Sequence, residues 1–184
     1  MNVDQLIDEL IDREGGYVNH PADRGGPTCW GVTQQVARAY GYIGDMRALP
    51  RSTAVRIYNL RYYLEPGFDK IGVIAPAIAV EMFDAGVNMG PAMAGRFLQR
   101  ALNLLNREAS DYPDIAVDGQ CGPMTRASLT GYGKVRGIKG EGLAVLLWMI
   151  RAFRTGRYAE IAEARASQEA FEYGWVARQV RQAG

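Results

Sequence analysis

The stretch REGGYVNHPADRGGPTCWGVT, Arg13 to Thr33, holds five glycines, two prolines, Glu14, Asp23 and the chain's single histidine, His20, within 21 residues. Upstream of it, Val3, Leu6, Ile7, Leu10 and Ile11 recur at helical spacing, and Asn2 followed three residues later by Gln5 has the form of a capping box. A helix therefore starts at the amino terminus and ends near Glu14, against Gly15 and Gly16. The glycines and prolines that follow predict a loop or short hairpin over Gly15 to Gly31. Thr33 can then cap a short helix bearing Val36, Ala37 and Tyr40, which Gly41 stops.

Beyond this point the pattern stays helical. A helix fits Ser52 to Leu64, closed by Pro66. Pro76 suits the first turn of a helix bearing Ile78, Ala79, Met82 and Phe83, and NMGP (Asn88 to Pro91) breaks it before a second apolar helix through Phe97, Leu98, Leu102 and Leu105. The segment Asp111 to Thr125 is rich in turn formers, and Thr125 begins a short helical stretch. Leu143, Leu146, Leu147, Ile150 and Phe153 mark a strong helix, and Tyr158 to Val180 holds at least one more. Strand-like alternation is almost missing. The expected fold is mostly α, with a small loop or hairpin after the first helix and two packed helical halves, residues 1–90 and 91–184.

With 21 Lys and Arg against 20 Asp and Glu, the net charge is +1, and no basic stripe is visible. Nucleic acid is thereby disfavoured as a partner. Cys29 and Cys121 lie far apart and outside any CxxC pattern, which supports neither a disulfide framework nor a metal site. The first residues, MNVDQLIDELIDREGG, are amphipathic and acidic, unlike a Sec-type signal peptide. The longest apolar run, Leu143 to Ile150, is far short of the ~20 residues that cross a bilayer, so no stable membrane insertion is expected.

Glu14 stands where a helix runs out into a glycine-rich loop, so its carboxyl can face a cleft, and a partly apolar setting there would keep it protonated as a general acid. Asp23 follows nine residues later and Thr28 five after that. A Glu and an Asp so related can flank a glycosidic bond, one as acid and the other as nucleophile or as base for water, with the Thr28 hydroxyl holding the water. The same residues also fit ordinary helix-end and turn chemistry, and spacing alone leaves both readings open.

The wording of the loop goes further. EGGYVNHPADRGGPTCWGVT resembles the catalytic segment of the glycoside hydrolase family 108 lysozymes, N-acetylmuramidases once called secretion activator proteins, and meets the pattern E-G-G-Y-x-x-x-P-x-D-x-G-G-x-T-x-x-G-[IV]-T at every fixed position. AVRIYNLRYYLEP (Ala54 to Pro66) and FDAGVNMGPAMAGRFLQRAL (Phe83 to Leu102) continue the resemblance. VDGQCGPMT (Val117 to Thr125) and FEYGWVARQV (Phe171 to Val180) look like the helical peptidoglycan-binding module found behind that catalytic region.

The resemblance implies a lysozyme-like helical fold and cleavage of the β-1,4 bond between N-acetylmuramic acid and N-acetylglucosamine, with Glu14 as the catalytic acid and no metal or organic cofactor. It implies peptidoglycan glycan strands as the partner. The spacing is also similar to the Glu, Asp, Thr arrangement of phage lysozymes, by which Asp23 would orient or deprotonate water and Thr28 would assist. Such an enzyme, of phage or prophage type, would be a monomer made in the cytoplasm. It would act on the cell wall in the periplasm or outside after release by a holin or secretion system. Cys29 stands where that family often has a polar residue.

Other residues are assigned by chemistry. Tyr17, Trp30, Tyr58 and Tyr62 can offer flat faces to sugar rings, although core packing explains aromatics at helical spacing equally well. Asp84 and Asn88, four apart, can line the cleft or brace the Glu14 loop. His20 falls at a variable position of the motif and is left out of the site. Arg96, Arg100 and Arg107 read as a solvated face, and Asp118, Gly119 and Gly122 as turn residues. Two rival readings stand beside the enzyme: a helix-turn-helix regulator, suggested by GVTQQVARAYGYIGDMRAL (Gly31 to Leu49), and a non-catalytic peptidoglycan-binding protein.

Overall fold

The structure, a computed structural model, describes residues 2–19 and 26–183. Asp23 and His20 lie outside the described residues. Among the described residues the chain is mostly α-helical with one small sheet, and it forms two compact units, Met1–Asp84 and Ala85–Gly184. None of the described helices is long and apolar enough to cross a membrane.

In the first unit, α1 (Val3–Glu14) begins at Asn2, whose side chain accepts from the Gln5 amide while the Gln5 side chain accepts from the Asn2 amide at 2.8 Å. These bonds satisfy two of the donors that a helix start leaves open. Leu6, Ile7, Leu10 and Ile11 form its buried face. Gly15 ends the helix with φ 73°, and its amide donates to the Ile11 carbonyl.

Three two-residue strands follow in an antiparallel meander: β1 (Tyr17–Val18), β2 (Thr28–Cys29) and β3 (Val32–Thr33). Tyr17 pairs with Cys29, Val18 with Thr28, and Thr28 with Thr33. Thr33 then caps α2 (Gln34–Ala39), accepting from the Val36 amide at 3.3 Å. After α2 comes a single 3-10 turn, Met46–Ala48, rather than a second helix, so the described structure does not supply a helix-turn-helix.

α3 (Arg51–Asn59) packs on α1 and buries Ala54 and Ile57, and Arg51 clamps the pair by reaching Asp8 at 2.7 Å and Asp12 at 2.9 Å. The helix expected over Ser52 to Leu64 changes form part-way: Leu60–Leu64 is a π-turn, in which the Glu65 amide donates to the Leu60 carbonyl at 2.9 Å. A π-turn inserts one residue into the helical repeat, which hydrophobic spacing does not register. α4 (Phe68–Ile74) adds Phe68 and Ile71 to the core, and α5 (Pro76–Met89) starts on its proline as expected.

In the second unit, α6 (Pro91–Leu104) buries Phe97, Leu98 and Leu102. α7 (Pro123–Arg136) begins two residues before Thr125 because Pro123 occupies its first turn, after Gly122. α8 (Gly140–Ala164) runs through Tyr158, and α9 (Glu169–Ala183) is the further helix expected before Val180. Trp175 of α9 stacks on Tyr158 of α8 with ring centroids 4.9 Å apart, which seats the last helix. Gly119 has φ 86°, and a Cβ there would lie 2.5 Å from the Ala92 carbonyl oxygen, so the turn after Asp118 approaches α6 as only glycine permits. Gln99, buried on α6, donates to Asp118, to the Gln120 carbonyl and to the Thr125 hydroxyl, and accepts from the Gly119 amide.

Candidate active site

Glu14 is the last residue of α1, and the sheet closes against it. The Trp30 amide donates to the Gly15 carbonyl at 3.0 Å, so the turn between β2 and β3 is tied to the end of α1. That turn is Trp30–Gly31, with φ 54° and 71°, the two positive values that a two-residue hairpin of type I′ requires. Glycine at 31 has a second cause. A Cβ there would lie 2.4 Å from the Tyr58 hydroxyl oxygen and 2.9 Å from Glu14 Cγ, so both side chains rest on the bare Gly31 backbone.

Tyr58 comes from α3 and is buried, with its hydroxyl donating to the Trp30 carbonyl at 3.3 Å. Burial, and then the negative charge of Glu14, push its phenol pKa up, so it stays protonated across any physiological pH. Its ring stacks on Tyr62 at 5.8 Å between centroids, and the Arg61 guanidinium lies over the outer ring at 5.3 Å. Tyr62 belongs to the π-turn and is half-buried.

The remaining residues expected here are placed as follows. Trp30 is half-buried and anchored by its indole N–H, which donates to the Leu49 carbonyl at 3.0 Å. Tyr17 is half-buried, with the Arg47 guanidinium 5.3 Å from its ring centroid. Thr28 sits on β2 between β1 and β3, its hydroxyl 3.4 Å from the Gly26 carbonyl. Glu14 itself is exposed, so the described residues do not provide the apolar enclosure expected for it; residues 20–25 of the following loop lie outside them. Asp84 is buried on α5 and Asn88 is exposed. Spacing gave no reason to single out Arg47 and Arg61, because a guanidinium over an aromatic ring needs the two elements brought together first. Cys29 is buried beside the site, and burial raises its thiol pKa.

Residues 7–90 match the family model described as Glycosyl hydrolase 108. This half of the chain belongs to that family. Residues 93–180 match a second model, described as Predicted Peptidoglycan domain. A glycosyl hydrolase 108 region followed by a peptidoglycan domain makes the chain a peptidoglycan-degrading glycoside hydrolase. No curated protein matches. Among solved structures, one titled "Structure of Brucella abortus SagA" is similar in fold, with a TM-score of 0.66 and 22% identity over 97% of this chain and 90% of that one. Within the glycosyl hydrolase 108 region, Glu14, Trp30, Gly31, Tyr58 and Tyr62 form one connected cluster.

Proposed function

We propose that the chain is a lysozyme-type N-acetylmuramidase that hydrolyses the β-1,4 bond between N-acetylmuramic acid and N-acetylglucosamine, with Glu14 as general acid. The observation that carries the reading is the placement of Glu14: a carboxylate at a helix end, its stem laid on the Gly31 backbone, inside a region that matches a glycoside hydrolase family. A carboxyl fixed by its stem keeps its head free to reach a glycosidic oxygen.

In this reading Glu14 gives its proton to the leaving oxygen as the bond to the anomeric carbon lengthens. Asp23 orients or deprotonates the attacking water, and Thr28 assists it. Tyr17, Trp30 and Tyr62 offer aromatic surface to the sugar rings, and Asp84, buried on α5, serves as a brace rather than a cleft wall. Residues 1–90 carry catalysis, and residues 91–184 hold the wall. The enzyme acts on the wall as a monomer after release from the cytoplasm.

The test is Glu14→Gln. Purified wild-type protein clears permeabilised Gram-negative cells and leaves reducing muramic acid ends, read by mass spectrometry. The variant loses about 10²–10⁴-fold in rate while keeping its circular dichroism and melting temperature. Retained lysis removes Glu14 from the role, reducing glucosamine ends make the enzyme a glucosaminidase, and anhydro ends make it a lytic transglycosylase.

A further inference from the structure

The second unit holds a cationic cavity for which its own folding gives no reason. Arg96 and Arg100, one helical turn apart on α6, face Arg157 of α8 across a space of about 270 Å³ floored by Phe97 and Phe153. Like charges at that spacing on a helix cost stability. The carboxylates nearby do not balance them. Glu160 pairs with Arg157 at 2.8 Å, and Asp118 already accepts from the Gln120 amide and from Gln99. Among the described residues neither Arg96 nor Arg100 takes part in an ion pair. Arg100 instead sits over Phe153, its guanidinium carbon 4.0 Å from the ring centroid, and that contact restrains where the N–H fork can go.

A guanidinium fork held on an aromatic floor suits a planar, two-oxygen anion attached to small apolar groups. A neutral sugar ring asks for paired donors and acceptors, whereas the three guanidinium groups supply donors alone. In a unit that matches a peptidoglycan domain, the ligand with that chemistry is the stem peptide, which carries carboxylates between alanine methyl groups. We propose that the cavity between α6 and α8 is a subsite for the stem-peptide carboxylates of peptidoglycan, bound by Arg96, Arg100 and Arg157. The inference rests on the wall-binding reading of this half and is independent of Glu14.

The probe is the synthetic tripeptide L-Ala-γ-D-Glu-meso-diaminopimelate, titrated calorimetrically into the full chain at low salt, beside the same peptide with its carboxylates amidated. The tripeptide binds, and amidation or Arg100→Gln weakens it about tenfold, the loss of one charged hydrogen-bonded contact. Arg96→Gln, which disturbs no ring contact, does the same at an unchanged melting temperature, so a folding defect in the first variant cannot account for the result. Equal binding of the amidated peptide, unaltered binding by the Arg96 variant, no binding, or equal competition by inorganic phosphate overturns the proposal. Hydrolysis by the wild type and by Glu14→Gln is measured in parallel. Lost peptide binding with intact Glu14-dependent hydrolysis sinks only the subsite, and peptide binding without hydrolysis sinks only the muramidase.

Discussion

The hydroxyl of Tyr58 donates to the carbonyl oxygen of Trp30 at 3.3 Å, and this bond fixes α3 to the turn on which the Glu14 stem lies. Three segments distant in sequence thus meet at one glycine. Tyr58→Phe keeps the ring and its stacking on Tyr62 but removes the tie, leaving the turn free to shift under Glu14. With Glu14 as the acid, kcat falls about tenfold while KM stays within twofold, since ångström-scale misplacement of a reacting group costs rate rather than binding. Gly31→Ala costs more, because its Cβ drives into both side chains and the residue must keep φ 71°. Steady-state kinetics on soluble glycan fragments separates the two constants, and a kcat unchanged in Tyr58→Phe removes the tie from catalysis.

Acid should destabilise the second unit through Asp111. Its carboxylate accepts two bonds from the Arg107 Nε, at 3.1 and 3.0 Å, another from the Arg107 Nη2, and lies 3.8 Å from Arg136. The bonds from Arg107 hold its pKa below the ordinary carboxylate value, with the charge of Arg136 a lesser contribution, and Asp118 is held down in the same direction by the Gln120 amide and Gln99. A depressed folded-state pKa gives stability that is full above the unfolded value, near 3.9, and that is lost as pH falls through the lower folded one. Melting temperature should therefore drop between about pH 4 and pH 2, and Asp111→Asn should flatten part of that fall while lowering stability at neutral pH. A variant with the wild-type slope shows that the ion pair contributes nothing.

How much of this is legible without coordinates differs from residue to residue. The start of α1 can be read from Asn2 and Gln5, and the cap of α2 from Thr33, because capping is local chemistry between residues three apart. The glycines and prolines after α1 predict a loop or short hairpin, and the small three-stranded sheet found there fits that reading because turn residues are local signals too. The π-turn at Leu60–Leu64 is not legible, since it keeps the helical composition and changes only the hydrogen-bond partner. Nor is the positive φ of Trp30, which a tryptophan tolerates here only because Leu49 and Gly15 hold it from both sides. Tyr58 and Tyr62 look alike in sequence, yet one is buried and the other partly open. Arg96 and Arg100 are exposed, as the sequence reading has them, and what the sequence does not show is that α8 sets Phe153 and Arg157 beside them.

Both thiols should be inert in the folded protein. Cys29 and Cys121 are buried, and burial raises each thiol, Cys121 to about 12, which leaves almost no thiolate at pH 8. Iodoacetamide at pH 8 should leave the native chain unlabelled and modify both cysteines in denaturant, read by peptide mass spectrometry. Rapid native labelling of Cys29 shows that the β2 segment opens.

The loop after α6 stores strain that one substitution should relieve. Arg107, Glu108 and Ala109 have φ of 53°, 56° and 61°, three successive non-glycine residues in the left-handed region. Each such residue costs about 1–2 kcal/mol relative to its right-handed form. Asn106 enforces them: fully buried, it accepts from the Ala109 amide at 3.1 Å and donates to the Tyr112 carbonyl at 3.1 Å and to Asp114 at 2.7 Å. Glu108 is exposed and belongs to no ion pair among the described residues, so its side chain can be removed without losing a contact. Glu108→Gly exchanges the strain for the greater entropy of glycine in the unfolded chain, about 0.4–1 kcal/mol, which leaves a gain of roughly 0.5 kcal/mol. For a chain of this length that raises the melting temperature by about 1–2 °C. Asn106→Ala should do the opposite, costing about 1–3 kcal/mol for each buried group left without its partner. Calorimetry of the two variants decides the matter, and a lower melting temperature in Glu108→Gly shows that the left-handed run is not under strain.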